Sequence, residues 1–260
     1  MVMDSHGRIL VTDPGLSVVH VFDIEQRKRW QFSGGFRQGL VTPAYIAVDA
    51  NDHIYVTDLR RSAVLVFQPN GRLLRTIGAG ILNMPTGVWV DKAARTLYVA
   101  DRWRGQVLLF DLEGRLLGVI GTPGGGPGQL YGPGDIVIHG DTLVVLDSIN
   151  SRFELFDLQG NFRATWPFGH DRTPIAFAFD AADHLYYVDM DSGALVAMDL
   201  KGKVLARLGP LRSFGHWAPR RIGTSFMCVA IDPLGDILAL RPTLHIETVK
   251  LAPDATENAP

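Results

Sequence analysis

The sequence predicts an all-β fold assembled from six copies of one four-stranded unit. Three observations carry this. An apolar-x-Asp signature recurs as Val11-Thr12-Asp13, Val56-Thr57-Asp58, Val99-Ala100-Asp101, Val145-Leu146-Asp147 and Tyr187-Val188-Asp189, with the aspartates 45, 43, 46 and 42 residues apart. Each unit holds four short apolar, β-branched or aromatic runs, too brief and too weakly helical in period for α-helices. Turn-forming sets of Asp, Asn and Gly punctuate those runs at fixed places. Self-similarity at about 43 residues, with four strands per copy, is the pattern of blades in a propeller.

The second unit shows the elements in order: strands over Tyr45–Val48, Ile54–Thr57, Val64–Phe67 and Leu73–Ile77. The turn after a first strand reads Asp49-Ala50-Asn51-Asp52, Asp180-Ala181-Ala182-Asp183 or Asp232-Pro233-Leu234-Gly235. The turn after a third strand reads Gln68-Pro69-Asn70-Gly71, Asp111-Leu112-Glu113-Gly114, Asp157-Leu158-Gln159-Gly160 or Asp199-Leu200-Lys201-Gly202, with glycine supplying a positive φ. The sixth copy has strands around Cys228–Ile231, Ile237–Leu240 and Ile246–Leu251, and Arg241 stands in the aspartate position. Residues 1–251 are therefore expected to form a single propeller domain, six-bladed with an incomplete last blade, and 252–260 a disordered C-terminal tail. Aligning Val2-Met3-Asp4 with Ala47-Val48-Asp49 places Met1 inside a first strand. The expectation that follows is a truncated amino terminus, a closing strand lost from blade six, and edge-to-edge self-association through that blade.

Composition adds bounds. Of the 260 residues 47% are hydrophobic and the formal charge is −2, which gives no overall drive toward nucleic acid or anionic membrane. No apolar run approaches the roughly 20 residues that span a bilayer, and no secretory signal opens the chain, so no membrane insertion is expected. The single cysteine, Cys228, excludes an intrachain disulfide and a thiolate metal cluster.

Units such as MPTGVWVDKAARTLYVADRWRGQVLLFDLEGRLLGVIG resemble NHL repeats, and the joining segment GTPGGGPGQLYGP resembles their inter-blade linker. WD repeats fit worse for want of Gly-His and Trp-Asp pairs. YWTD propellers share the IYVTD and LYYVD runs, but the LFD-x-x-G third strand favours NHL. The resemblance implies a six-bladed propeller whose function sits on the face of the second-to-third-strand loops and the inter-blade linkers. Some NHL domains bind RNA or protein partners there.

The repeated aspartates read as scaffold, each accepting hydrogen bonds from its own turn. The loops behind them are individual. Arg60, Arg61, Arg102, Trp103 and Arg104 lie in them, and the long linker 209–224 adds His216, Trp217, Arg220 and Arg221. Arginine interleaved with aromatic residues suits carboxylates, phosphates or stacked bases. The expectation is a non-enzymatic binding or scaffold module presenting this face to a protein or peptide, with RNA or another polyanion as the alternative partner. The competing function is a hydrolase or lyase at the channel mouth, as in gluconolactonase-like or amidating-lyase-like propellers, around Tyr45, Tyr131 and Asp135. No cofactor or metal is expected. The eight histidines lack ligand spacing, and one carboxylate does not satisfy calcium. The run Gly124–Gly128 precedes a strand and lacks Gly-Lys-Ser/Thr, so it is no phosphate loop.

Overall fold

The computed structural model describes residues 1–35, 37–168, 174–189, 194–208, 229–231, 237–240 and 246–249. They form an all-β propeller fold: five four-stranded antiparallel sheets, one three-stranded antiparallel sheet, and a two-stranded parallel pair, Thr122–Pro123 with Gln129–Leu130, in the linker before blade four. Blade one holds Val2–Met3, Ile9–Asp13, Val18–Asp23 and Lys28–Phe32; blade two holds Pro43–Val48, Ile54–Asp58, Ala63–Phe67 and Leu73–Ile77. Blade three holds Pro85–Asp91, Thr96–Asp101, Gln106–Asp111 and Leu116–Ile120; blade four holds Pro133–His139, Thr142–Asp147, Arg152–Asp157 and Phe162–Pro167. Blade five runs from Pro174–Phe179 through Leu185–Asp189 and Leu195–Met198 to Val204–Leu208. Blade six shows three strands among the described residues: Val229–Ile231, Ile237–Leu240 and Ile246–Val249. In every blade strands pair in chain order, the local hairpin connectivity that short turns permit. Among the described residues no helix is long and apolar enough to cross a membrane.

The chain divides into two compact units, Met1–Asn150 with Glu154–Thr165, and Ser151–Phe153 with Trp166–Pro260. Within the first, the cores lie between successive sheets. Leu10, Val19, Ile46, Val56 and Phe67 join blades one and two; Val66, Ile77, Val88, Val99 and Phe110 join two and three. Tyr98, Ala100, Ile136, Val145 and Phe156 join three and four. In the second unit Phe153 meets Phe168 edge-on at 5.3 Å and Phe177 at 5.0 Å, favoured aromatic geometry. Stacked sheets explain why strands such as Ala63–Phe67 are apolar throughout rather than alternating: both faces are buried.

In blades two to five a glycine in the third-to-fourth-strand turn locks one blade to the previous one. Gly71 has φ 84°, and a Cβ there would stand 2.5 Å from the Phe32 ring. Gly114 sits likewise on Ile77, Gly160 on Ile120 and Gly202 on Trp166. The residue is needed both for its left-handed backbone and for the close approach.

The first-to-second-strand turns of blades one and two form a second inter-blade lock. Asp52, at φ 58°, accepts the Ser5 N–H at 2.9 Å and the Ser5 hydroxyl at 2.6 Å, and its Oδ2 lies 3.0 Å from His6 Nδ1. Burial pushes this carboxyl up, but the bonds from Ser5 and His6 outweigh it and leave Asp52 below its ordinary value of 3.8. A lowered native pKa stabilises the fold above the unfolded value and ceases to do so as the pH falls through the native one. Asp52→Asn is therefore expected to cost about 1–2 kcal/mol at neutral pH. The deficit should shrink below pH 3.8, which urea unfolding across pH reads directly. A deficit that stays constant with pH would show that the carboxylate charge plays no part.

Candidate functional site

The second-to-third-strand loops share one construction. In the four described ones an aspartate, half-buried at Asp13 and fully buried at Asp58, Asp101 and Asp147, is followed four residues later by a left-handed residue: Ser17, Ser62, Gly105 and Ser151, with φ of 58°, 49°, 63° and 56°. In the first three loops one aspartate oxygen accepts the N–H of its own turn, from Leu16 at 2.9 Å, Arg61 at 3.1 Å and Arg104 at 3.1 Å. In blades two to four the carboxylate also holds the incoming linker. Asp58 accepts Val41 and Thr42, Asp101 accepts Asn83 at 2.6 Å, and Asp147 accepts Tyr131 at 2.7 Å. Burial pushes the Asp101 carboxyl up despite the amides of Asn83 and Arg104. These aspartates tie loop to linker, so their repetition is structural, and the residue two places on is carried to the tip.

Those tip residues differ from blade to blade: Gly15, Arg60, Trp103 and Ile149. Trp103 is 66% exposed and Ile149 47%, and Tyr131, on the linker into blade four, is 56% exposed. They belong to one neighbourhood. The Ile149 amide donates to Tyr131 O at 3.2 Å, and the Ile149 side chain packs over Gly132. Arg102 reaches the same glycine, with Nη1 donating to Gly132 O at 3.4 Å, while the Arg102 amide holds Met84 O. Ile149, Tyr131 and the Arg102 guanidinium thus meet at Gly132, and Trp103, next to Arg102 in the chain, stands exposed at the tip of the blade-three loop. Large exposed aromatic and aliphatic side chains with an arginine suit docking.

The other residues singled out by sequence fall in different places. Arg104 is paired, its Nε 3.7 Å from buried Asp101. Arg61 donates through Nε to Gly39 O at 2.5 Å and through Nη2 to Arg37 O at 3.2 Å, and Arg60 is exposed beside it. His216, Trp217, Arg220 and Arg221 lie outside the described residues, as do Cys228 and the tail 252–260. Of the channel-mouth residues, Tyr45 packs half-buried against the core of blades two and three. Asp135 is half-buried on the first strand of blade four, where its Oδ1 accepts the Ile136 N–H at 2.9 Å. Tyr131 stands before that strand and faces solvent.

Two clusters escaped sequence reading. Glu154, fully buried in the third strand of blade four, accepts the Gly128 N–H at 2.5 Å and the Thr165 hydroxyl at 2.7 Å. It therefore anchors the glycine-rich linker, whose Gly126 amide goes to Gln129. Asp4, His6 and Asp52 bring potential ligand atoms within 4.8 Å. Arg8 Nε, however, sits 2.6 Å from Asp4 Oδ2, and Ser5 occupies Asp52, so the cluster is already satisfied as a clamp between blades. Only the spacing of Asp4 and Asp52 in equivalent turns could have hinted at it.

Comparison with known proteins places the fold. The family model DUF5128, described as a 6-bladed beta-propeller, matches residues 89–197. No curated protein matches the sequence. Among solved structures the chain is similar to Staphylococcus aureus virginiamycin B lyase, a catalytically inactive variant with quinupristin. That likeness has 10% identity and a TM-score of 0.65 over 98% of this chain and 84% of that one. It is also similar to Kuenenia stuttgartiensis hydrazine synthase, with 15% identity and a TM-score of 0.67 over 97% and 95%. A chain of the nidogen/laminin complex aligns at 22% identity and a TM-score of 0.59 over 79% and 81%. A lyase, a synthase and part of a protein complex share this architecture, so the likeness carries the fold alone.

Proposed function

We propose that this chain is a non-enzymatic, NHL-type binding propeller that docks a protein or peptide on its second-to-third-strand loop face. One observation carries the reading: Tyr131 and Ile149 are exposed together at Gly132 with the Arg102 guanidinium on that glycine, and Trp103, the next residue after Arg102, is exposed at its loop tip. Aromatic residues and arginine are the side chains that anchor interfaces, and a rigid scaffold lowers the entropy lost on binding. The hydrogen bonds of Asp101 and Asp147 hold the two loops in place before any partner arrives.

The competing reading, a hydrolase or lyase around Tyr45, Tyr131 and Asp135, needs those polar groups to converge on one substrate. Tyr131 faces solvent and Tyr45 packs on the core, which supports docking over chemistry.

Peptides selected from a random library on the intact chain, followed by calorimetric titration, test the reading. Trp103→Ala is expected to weaken the selected peptides by about 30-fold, the loss of one interface anchor worth about 2 kcal/mol. Trp103 is exposed, so the variant should fold as the parent does. Unchanged affinity for every selected peptide would remove the loop face from consideration.

A further inference from the structure

The loop of blade two is the one described second-to-third-strand loop with two adjacent arginines at its tip. Arg60 and Arg61 line an open cavity of about 470 Å³ together with Val41, Ala63, Thr76 and Ala79. A volume of this size lies within the range of about 300–1,000 Å³ usual for ligand pockets. No acidic side chain lines it. Asp58 lies at the base of the turn, but it is fully buried and its oxygens hold the amides of Val41, Thr42 and Arg61.

The two arginines are held differently. The Arg61 guanidinium is fixed, because Nε and Nη2 are spent on the carbonyls of Gly39 and Arg37. Its Nη1 has no acceptor among the described residues. Arg60 is exposed and has no carboxylate within ion-pairing distance among them. The cavity therefore presents one oriented and one adaptable cation, which is the donor set that recognises a carboxylate.

We propose that this cavity receives an acidic side chain of a peptide, which identifies the partner of the docking face as acidic; the inference rests on that reading of the face. Arg61 supplies the fixed donor and Arg60 the charge that recruits. The apolar walls choose the class of ligand. Val41, Ala63 and Ala79 would stay wet around a bare inorganic anion, whereas the methylenes and neighbours of a glutamate in a chain cover them.

The test titrates the intact chain with a labelled peptide of alternating Glu and Val, its Gln and Val counterpart, and inorganic phosphate as competitor. The Glu peptide is expected to bind more tightly than the Gln peptide and to weaken as salt screens the charges. Arg60→Ala should weaken the Glu peptide by about tenfold, Arg60→Glu further, and neither should alter the Gln peptide. Thermal unfolding of the variants should match the parent, since Arg60 holds no part of the fold. Equal affinity for both peptides, or indifference to Arg60, overturns the acidic pocket. It leaves docking at Trp103 to be judged by the selected peptides alone. Displacement by phosphate at concentrations equal to the peptide would reassign the cavity to a free anion.

Discussion

Asp58→Ala is expected to lower stability by about 3 kcal/mol, a fall in melting temperature of about 6–12 °C for a chain of this size. The carboxylate is fully buried, and its removal orphans the amides of Val41, Thr42 and Arg61 at once. Each lost acceptor for a buried amide costs about 1–3 kcal/mol, less where water can reach it. The linker into blade two and the arginine loop would lose their common tie, so the Arg60–Arg61 cavity should loosen with the fold. Asp58→Asn keeps one acceptor oxygen and should recover part of the loss. Asp101→Ala, which frees the amides of Asn83 and Arg104, should behave alike. Urea unfolding of the three variants measures this. A loss below about 0.5 kcal/mol for Asp58→Ala, the range of ordinary surface changes, would mean that the repeated aspartates are not scaffold.

Gly87→Val is expected to be at least as damaging, at about 3 kcal/mol or more, for a different reason. Gly87 lies in the first strand of blade three, and its φ needs no glycine. Space does: a Cβ there would meet Asp135 Cα and Ile136 N at 2.7 Å and Gly134 O at 2.8 Å. These are backbone atoms of the first strand of blade four and cannot swing aside. The two strands would have to part, opening the core between blades three and four around Ile136 and Val145. Gly87→Ala should cost less than Val but remain measurable. Because Tyr131 and Gly132 lead directly into the displaced strand, binding at the loop face should weaken together with stability. A Gly87→Val variant as stable as the parent would contradict this packing.

Much of the architecture was legible in the residues. Period, turn chemistry and β-branched runs placed the strands of blade two to within two residues, because turn and strand signals there agree. The scaffold role of the aspartates followed from their repetition. What linear reading could not supply was pairing across blades. Asp52 answers Ser5 and His6 across 46 or 47 residues, and Glu154 answers Gly128 across 26; neither leaves a local signature. For the same reason sequence grouped all the loop arginines together. The structure separates Arg104, spent on Asp101, and Arg61, fixed by carbonyls, from Arg60 and Arg102, which have no ion pair among the described residues. It also gives weight to Ile149 and Tyr131, whose exposure depends on Gly132 bringing loop and linker together.

Amide hydrogen exchange on the intact chain, with and without a library-selected peptide, tests the central claim most directly. The docking account predicts protection over residues 101–105, 131–132 and 147–150, with the turns at 4–8 and 49–53 unchanged. Protection confined to the first strands Pro43–Val48 and Pro133–His139, with the loops unaffected, would contradict it and move function to the channel mouth.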